Sequence, residues 1–180
     1  MPRAKRAILV VATAAISALA ATPALAASSS SENPNAGINA HALFTSRQLW
    51  ATIDVCSPTD QPNTVGIRGS MPADGHANDK MYMSFRLQYL DATNRWVDLL
   101  SGAAPDFVAV GRASARQGGR SFQLVPVAGR PAVTLRGVVD FQWRRGRTVL
   151  ERAARPTTPA RKSLAGADPA GFTAPTCLIG

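Results

Sequence analysis

The chain holds 180 residues, 20 of them Lys or Arg against 11 Asp or Glu, for a formal charge of +9. That length predicts a single domain with room for a real core. Two cysteines and two histidines, His41 and His76, match no metal-ligand spacing, and no segment is apolar over the roughly 20 residues a spanning helix needs, so neither a metal centre nor a membrane span is expected.

Arg3, Lys5 and Arg6 make a short positive start, "AILVVATAAISALA" (7–20) follows as an apolar stretch, and "ATPALA" ends in the small residues Ala24 and Ala26. That order is the order of an export signal. It predicts a signal peptide over 1–26, cleavage between Ala26 and Ala27, and a secreted protein whose charge is +6 once the +3 of the signal is gone. Residues 27–39, "ASSSSENPNAGIN", are small and polar and predict a flexible leader, which leaves 40–180 as the folded domain.

"LWATIDVC" sets Leu49, Ala51, Ile53 and Val55 against Thr52 and Asp54, the period of a half-buried strand, and puts Trp50 on the wet side as the most exposed of three tryptophans. "TVGIRGSM" repeats the pattern with Val65, Ile67 and Met71. "MYMSFRLQYL" places Met81, Met83, Phe85, Leu87 and Tyr89 opposite Ser84, Arg86 and Gln88; "DATNR" then supplies turn residues before "WVDLL" (96–100), so a hairpin or strand switch is expected. "PDFVAVG" (105–111) fits a short strand and a helical turn equally. "RQGG" reads as a loop, and "SFQLVPV" (121–127) as a strand whose Pro126 marks an edge or an end.

"AVTLRGVVDFQWR" is the longest regular run. Val133, Leu135, Val139, Phe141 and Trp143 point one way, while Thr134, Arg136, Asp140, Gln142 and Arg144 point the other, so Trp143 reads as core rather than as a ligand platform. The chain then turns at Gly146 and returns in "RTVLER". A loop of two or four residues keeps Leu150 on the Phe141 face and a loop of three turns Val149 inward; the former buries the larger side chain.

Recurrent short strands with turn chemistry between them predict an all-β, antiparallel sandwich. "SFRLQYLDATNRWVDLL" resembles the C and C′ strands of fibronectin type III and related immunoglobulin-like domains, and "TLRGVVDFQWRRGRTVLER" resembles their F–G hairpin. "RGVVDFQWRRG" followed by "GADPAGFTAPTCLI" is similar to small exported actinobacterial proteins that have no assigned activity. The resemblance implies an immunoglobulin/fibronectin-III-like sandwich of about seven to nine strands. Cys56 and Cys177 do not bracket a core tryptophan as the antibody-type inter-sheet bond does; in an exported chain they are expected to pair with each other.

A hydrolytic triad needs a base that titrates near neutrality. His41 follows the leader and His76 lies in "PADGHANDK", both with the surroundings of surface histidines; there is no GxSxG elbow and no glycine-rich phosphate loop. "DGHAND", with Asp74, Asn78 and Asp79, departs from the spacing of a calcium loop. No catalytic residue and no cofactor is therefore expected. Charge is uneven: residues 27–111 sum to −3 and residues 112–161 to +9. The basic half makes an acidic cell-surface polymer or another extracellular protein the expected partner, with Arg144, Arg145 and Arg147 at the hairpin tip as candidate contacts; nucleic acid is not expected. The functional expectation is a secreted, non-enzymatic sandwich with a structural or adhesive role. The alternatives are a proteinase inhibitor presenting an arginine from "RRGR" or "RQGGR", and an enzyme of unrecognised type.

Overall fold

The computed structural model describes residues 37–100, 106–159 and 164–180. The expected export signal, its cleavage point at Ala26–Ala27 and residues 27–36 of the expected leader lie outside the described residues. Ile38 and Asn39, read from sequence as the leader's end, belong to the fold. Ile38 packs against the core, and Asn39 Oδ1 accepts the Ala42 N–H at 3.0 Å, capping the short helix α1 (Ala40–Thr45). Six residues are too few to display a helical period, which is why the sequence does not announce α1.

Among the described residues nine strands follow: β1 Trp50–Cys56, β2 Thr64–Met71, β3 Lys80–Leu90, β4 Trp96–Asp98, β5 Val108–Arg112, β6 Arg116–Gln123, β7 Val133–Arg145, β8 Thr148–Pro156 and β9 Cys177–Ile179. They pair antiparallel in two sheets, β1-β2-β6 and β4-β3-β7-β8, with β5 added to β3 and β9 added to β7. The fold is an all-β sandwich. Of residues 105–111, open between strand and helix in sequence, Pro105 lies outside the described residues and Val108–Gly111 fall in β5, whose Val110 is the extra residue in a bulge opposite β3.

The core is the set of inward rows read from the alternation. Ile53, Val65, Ile67 and Met71 face Met81, Met83, Phe85, Leu87, Leu135, Val139, Phe141 and Trp143 across the sandwich, all buried. Trp143 has no exposed surface, and its indole Nε1–H donates to the Pro72 carbonyl at 2.9 Å. Glycines on these inner rows set how closely the sheets approach. A Cβ at Gly69 would stand 3.0 Å from Val139, one at Gly118 3.0 Å from Val110, and one at Gly137 2.7 Å from Ile67. This corrects the reading of "RQGG" as a loop: it forms the first half of β6, where Gly118 follows from inter-sheet packing and Gly119 lies on the outer face, neither marking a turn. The strand expected over 121–127 stops at Gln123 because its partner β2 begins at Thr64; Leu124 N–H makes a last bond to Asn63 O at 3.0 Å and Pro126 cannot donate to a ladder.

β1 departs from the half-buried strand that was expected, since both of its faces are covered. Ile53 pairs with Ile67 but Val55 pairs with Gly66, so Asp54 is an extra residue and the alternation reverses beyond it. Val55 turns outward beside Asp54, and Cys56 turns inward opposite Val65, where it bonds Cys177 of β9. Gly66 is required there: a Cβ would fall 2.8 Å from both Asp54 and Val55. Trp50, expected to be exposed, is buried too. The segment from Leu164 onward crosses this region: Arg68 donates to the Ala165 carbonyl at 2.6 Å, Asp168 N–H to Asp54 O at 2.9 Å, and Ala174 exchanges backbone bonds with Ile53 at 3.0 Å.

The hairpin after β7 has the two-residue loop Gly146-Arg147, with Gly146 at φ 59°, first of the pair. Leu150 nonetheless misses the Phe141 face. A bulge between Trp143 and Arg144 makes Leu150 the extra residue, half-buried, and Ala153 takes the place opposite Phe141. Val133, expected at the head of the inward row, is 37% exposed because it lies beyond the edge of the core.

Two stability outcomes follow. Replacing both cysteines by serine should lower the unfolding free energy by on the order of 2 to 4 kcal/mol, since the bond closes a loop of 121 residues in the denatured chain; denaturant titration with and without reductant measures it. Gly137→Ala should cost about 1–3 kcal/mol, because Ile67 and Thr157 must both give way to the new methyl group; the same titration reads the loss.

Candidate functional site

The outer face of the larger sheet is built by the residues that alternate with the core rows. β3 contributes Lys80, Tyr82, Ser84, Arg86 and Gln88; β7 contributes Thr134, Arg136, Val138, Asp140, Gln142 and Arg144. Register places Gln88 opposite Arg136, Ser84 opposite Asp140, Tyr82 opposite Gln142 and Lys80 opposite Arg144. β4 adds Trp96 and Asp98 at one end, and Phe107, just ahead of β5, closes the other.

Two arginines on this face are held the same way. Arg136 lies 4.4 Å from the Trp96 ring centre and donates from Nε to Gln88 Oε1 at 2.8 Å. Arg144 lies 4.1 Å from Tyr82 and 5.1 Å from Phe107, and donates from Nε to Gln142 Oε1 at 2.7 Å. In each case stacking fixes the guanidinium plane and a neutral amide fixes its rotation. Their terminal amino groups meet no protein acceptor among the described residues. Eight residues of strand separate the two, roughly 27 Å.

Arg86 sits between them and is satisfied internally. Its Nε donates to Asp140 at 2.9 Å and its Nη1 to Asp98 at 2.6 Å, while Gln88 Nε2 also donates to Asp98 at 2.9 Å. Burial works against the Arg86 charge, but Asp140 and Asp98 outweigh it and its pKa rises. The Asp98 carboxyl is held below its ordinary range by the Gln88 and Arg86 bonds. Arg136 has no carboxylate bonded to it; burial first, and the nearby Arg86 charge second, lower its pKa.

The three arginines predicted as a basic hairpin tip do not form one patch. Arg144 belongs to the face just described. Arg145 turns away and makes a two-pronged bond to Asp79, Nε to Oδ1 and Nη2 to Oδ2, both 2.8 Å. Arg147 is the exposed second residue of the turn. Sequence reasoning assigned Arg136, Gln142 and Arg144 to the correct side of β7, but joining them to Tyr82, Gln88 and Trp96 needs the register of β3 against β7. Trp96, the first residue of "WVDLL", is half-buried on this outer face.

His41 is exposed on α1, and His76 lies in the loop before β3. In that loop Asp74 Oδ1 accepts the His76 N–H at 2.9 Å, and its second carboxylate oxygen is buried without a hydrogen-bond donor. Burial, opposed by the His76 N–H, raises the Asp74 pKa, and its contact with Asp79 raises it further; Asp79 is held below its ordinary range by Arg145. The surroundings therefore favour the neutral form of Asp74 and the charged form of Asp79. With its side chain fully covered, Asp79 has no surface to offer a substrate. Among the described residues no cluster of three or more His, Cys, Asp or Glu side chains is placed to hold a metal, and no helix is long and apolar enough to cross a membrane.

No protein-family model matches the chain, and no curated protein matches it.

The acid pair sets a pH dependence with two opposite signs. The Asp79 contribution is complete at neutrality and is lost as pH falls below the ordinary carboxylate range near about 4. Asp74 binds its proton more tightly folded than unfolded, so its contribution is full in acid and is lost as pH rises through the raised folded pKa. Asp74→Asn abolishes the second dependence while keeping the size of the side chain. Its stability relative to the parent should increase from about pH 4 to about pH 7, measured by denaturant unfolding at both; a constant difference would rule out the raised Asp74 pKa.

Proposed function

We propose that this protein is an exported, non-enzymatic β-sandwich that contacts an acidic polymer or protein at the cell surface, and that the outer face of β3 and β7 makes the contact. The observation that carries the reading is the matched pair of stacked arginines. Arg136 and Arg144 are oriented in advance by an aromatic ring and a glutamine, so little side-chain freedom is lost on binding, and their terminal amino groups are left for a ligand. A planar fork suits carboxylate, sulfate or phosphate. Export is supported by the charged, apolar and small-residue order of residues 1–26 and by the Cys56–Cys177 bond, which belongs to an oxidising compartment. The strand order β1-β2-β6 facing β4-β3-β7-β8 suits an A-B-E sheet against C′-C-F-G, which supports the likeness to fibronectin type III and immunoglobulin-like domains.

The inhibitor reading has less support. "RQGG" lies inside β6, and "RRGR" is a two-residue turn with Arg145 tied to Asp79, whereas a protease cleft needs an extended, protruding segment.

Heparin, a sulfated linear polymer, serves as the probe. The protein should be retained and released by salt, and Arg136→Ala with Arg144→Ala should lower the slope of log affinity against log salt by roughly one to two; Arg147→Ala should leave it within error. Retention that ignores salt, or a double variant that binds as the parent does, would sink the reading.

A further inference from the structure

We propose that β6 is a docking edge at which an extended acidic peptide adds as a fourth strand to the β1-β2-β6 sheet. The first support is the backbone. Leu124 N–H bonds Asn63 O, and Ser57 N–H bonds Thr64 O at 2.8 Å on the other side of β2, which fixes the alternation along the ladder. In β6 the backbone groups of Gly118, Arg120 and Phe122 turn toward β2, and those of Gln117, Gly119, Ser121 and Gln123 turn away. The outward N–H and C=O groups find no partner among the described residues. The other edge of the same sheet is closed, since Ile53 bonds Ala174 in both directions, Asp168 bonds Asp54, and Thr158 bonds Ala51.

The second support is a groove of about 360 Å³ along the outer face of β6, floored by Gln117, Gly119 and Ser121 and walled by Arg68 and Gly166. These floor residues are among those whose backbone is open, so an added strand would set alternate side chains beside the groove. A Cβ at position 119 would press to 3.2 Å on the Ile67 carbonyl, and glycine keeps that floor clear. Charge is the third support, and it selects the occupant. Arg116 opens β6 and Arg112, whose carbonyl accepts from Arg116 Nη2 at 3.4 Å, ends β5 just before it; neither has a carboxylate partner among the described residues, whereas Arg120 already pairs with Asp106 at 3.3 Å and Arg68 with Asp54 at 2.7 Å. A peptide carrying glutamate or aspartate at alternate positions satisfies both the ladder and the arginines.

The purified protein is titrated with a synthetic peptide of about nine residues that alternates Glu and Thr, long enough to span the strand, with backbone amide chemical shifts as the readout. Shifts should concentrate between Gln117 and Gln123. A copy of the peptide N-methylated at alternate residues, and so unable to complete the ladder, should bind at least about tenfold more weakly, and a Lys-Thr copy should not bind. Ser121→Pro removes one outward N–H without touching a bond to β2 and should weaken binding comparably; thermal unfolding checks its fold, while the N-methylated peptide tests the same bonds on the unaltered protein. No binding, equal binding by the N-methylated copy, or shifts centred on β8 or on the β3–β7 face each overturn the proposal. Arg136→Ala and Arg144→Ala should leave peptide binding unchanged, so this edge and the polymer-binding face stand or fall separately.

Discussion

One extra residue in β1 decides how the two ends of this domain meet. Without the bulge at Asp54, strict alternation would point Cys56 outward, away from Cys177, and Val55 into the core. With it, the thiol turns toward β9 and the disulfide fastens an early strand to the last one. The displaced Asp54 and Val55 then share the outer face, where Gly66 leaves them room and Arg68 pairs with Asp54 at 2.7 Å. Asp54 also accepts the Asp168 N–H through its backbone, so the same residue anchors the tail that closes the β1 edge. A strand edge left open is a template for unwanted pairing, and here its closure depends on the bulge.

The second constraint is the distance between sheets. Inner-face glycines at 69, 118 and 137 remove side chains where the layers come nearest, and Val139, Val110 and Ile67 fill those places from the opposite side. Thr157 reinforces the arrangement at one end: its hydroxyl accepts the Gly137 N–H at 3.1 Å and donates to the Pro175 carbonyl at 2.6 Å, joining β7 to the C-terminal segment. Small residues in these strands are thus part of the packing, as much as the aromatic rows they face.

That explains what was legible in the sequence. Period-two rows gave the inward faces of β2, β3 and β7, Val133 at the sheet's edge aside, because both neighbours of those strands impose the same alternation. Bulges at Asp54 and Leu150 were invisible, since an extra residue looks like any other until a partner strand is aligned against it. "RQGG" misled for a related reason: glycine marks turns and close backbone approach alike, and only the opposing side chain distinguishes them. The cysteine pairing was legible from their count and from the expectation of export. The candidate face was half legible. Its arginines and Gln142 were assigned to the wet side of β7, but the rings that hold them and the Gln88 amide come from β3, β4 and the residue ahead of β5, distant in the chain, and emerge only with register.

The anchoring groups on that face carry the chemistry furthest. A glutamate at position 88 or 142 would hold the same guanidinium and also neutralise it, and the strand would then present a closed salt bridge, as Arg86 does with Asp98 and Asp140. Glutamine accepts the Nε–H, fixes the rotamer and adds no charge. Stacking on Trp96 or Tyr82 removes water from one side of each cation without supplying an anion. Arg136 shows the consequence: burial and the neighbouring Arg86 oppose its charge more than Asp98, which is not bonded to it, supports it. An anion placed beside Arg136 would relieve that imbalance, and under the proposed function Arg144, 8 residues along β7 and roughly 27 Å away, would meet a separate, distant charged group of the same polymer.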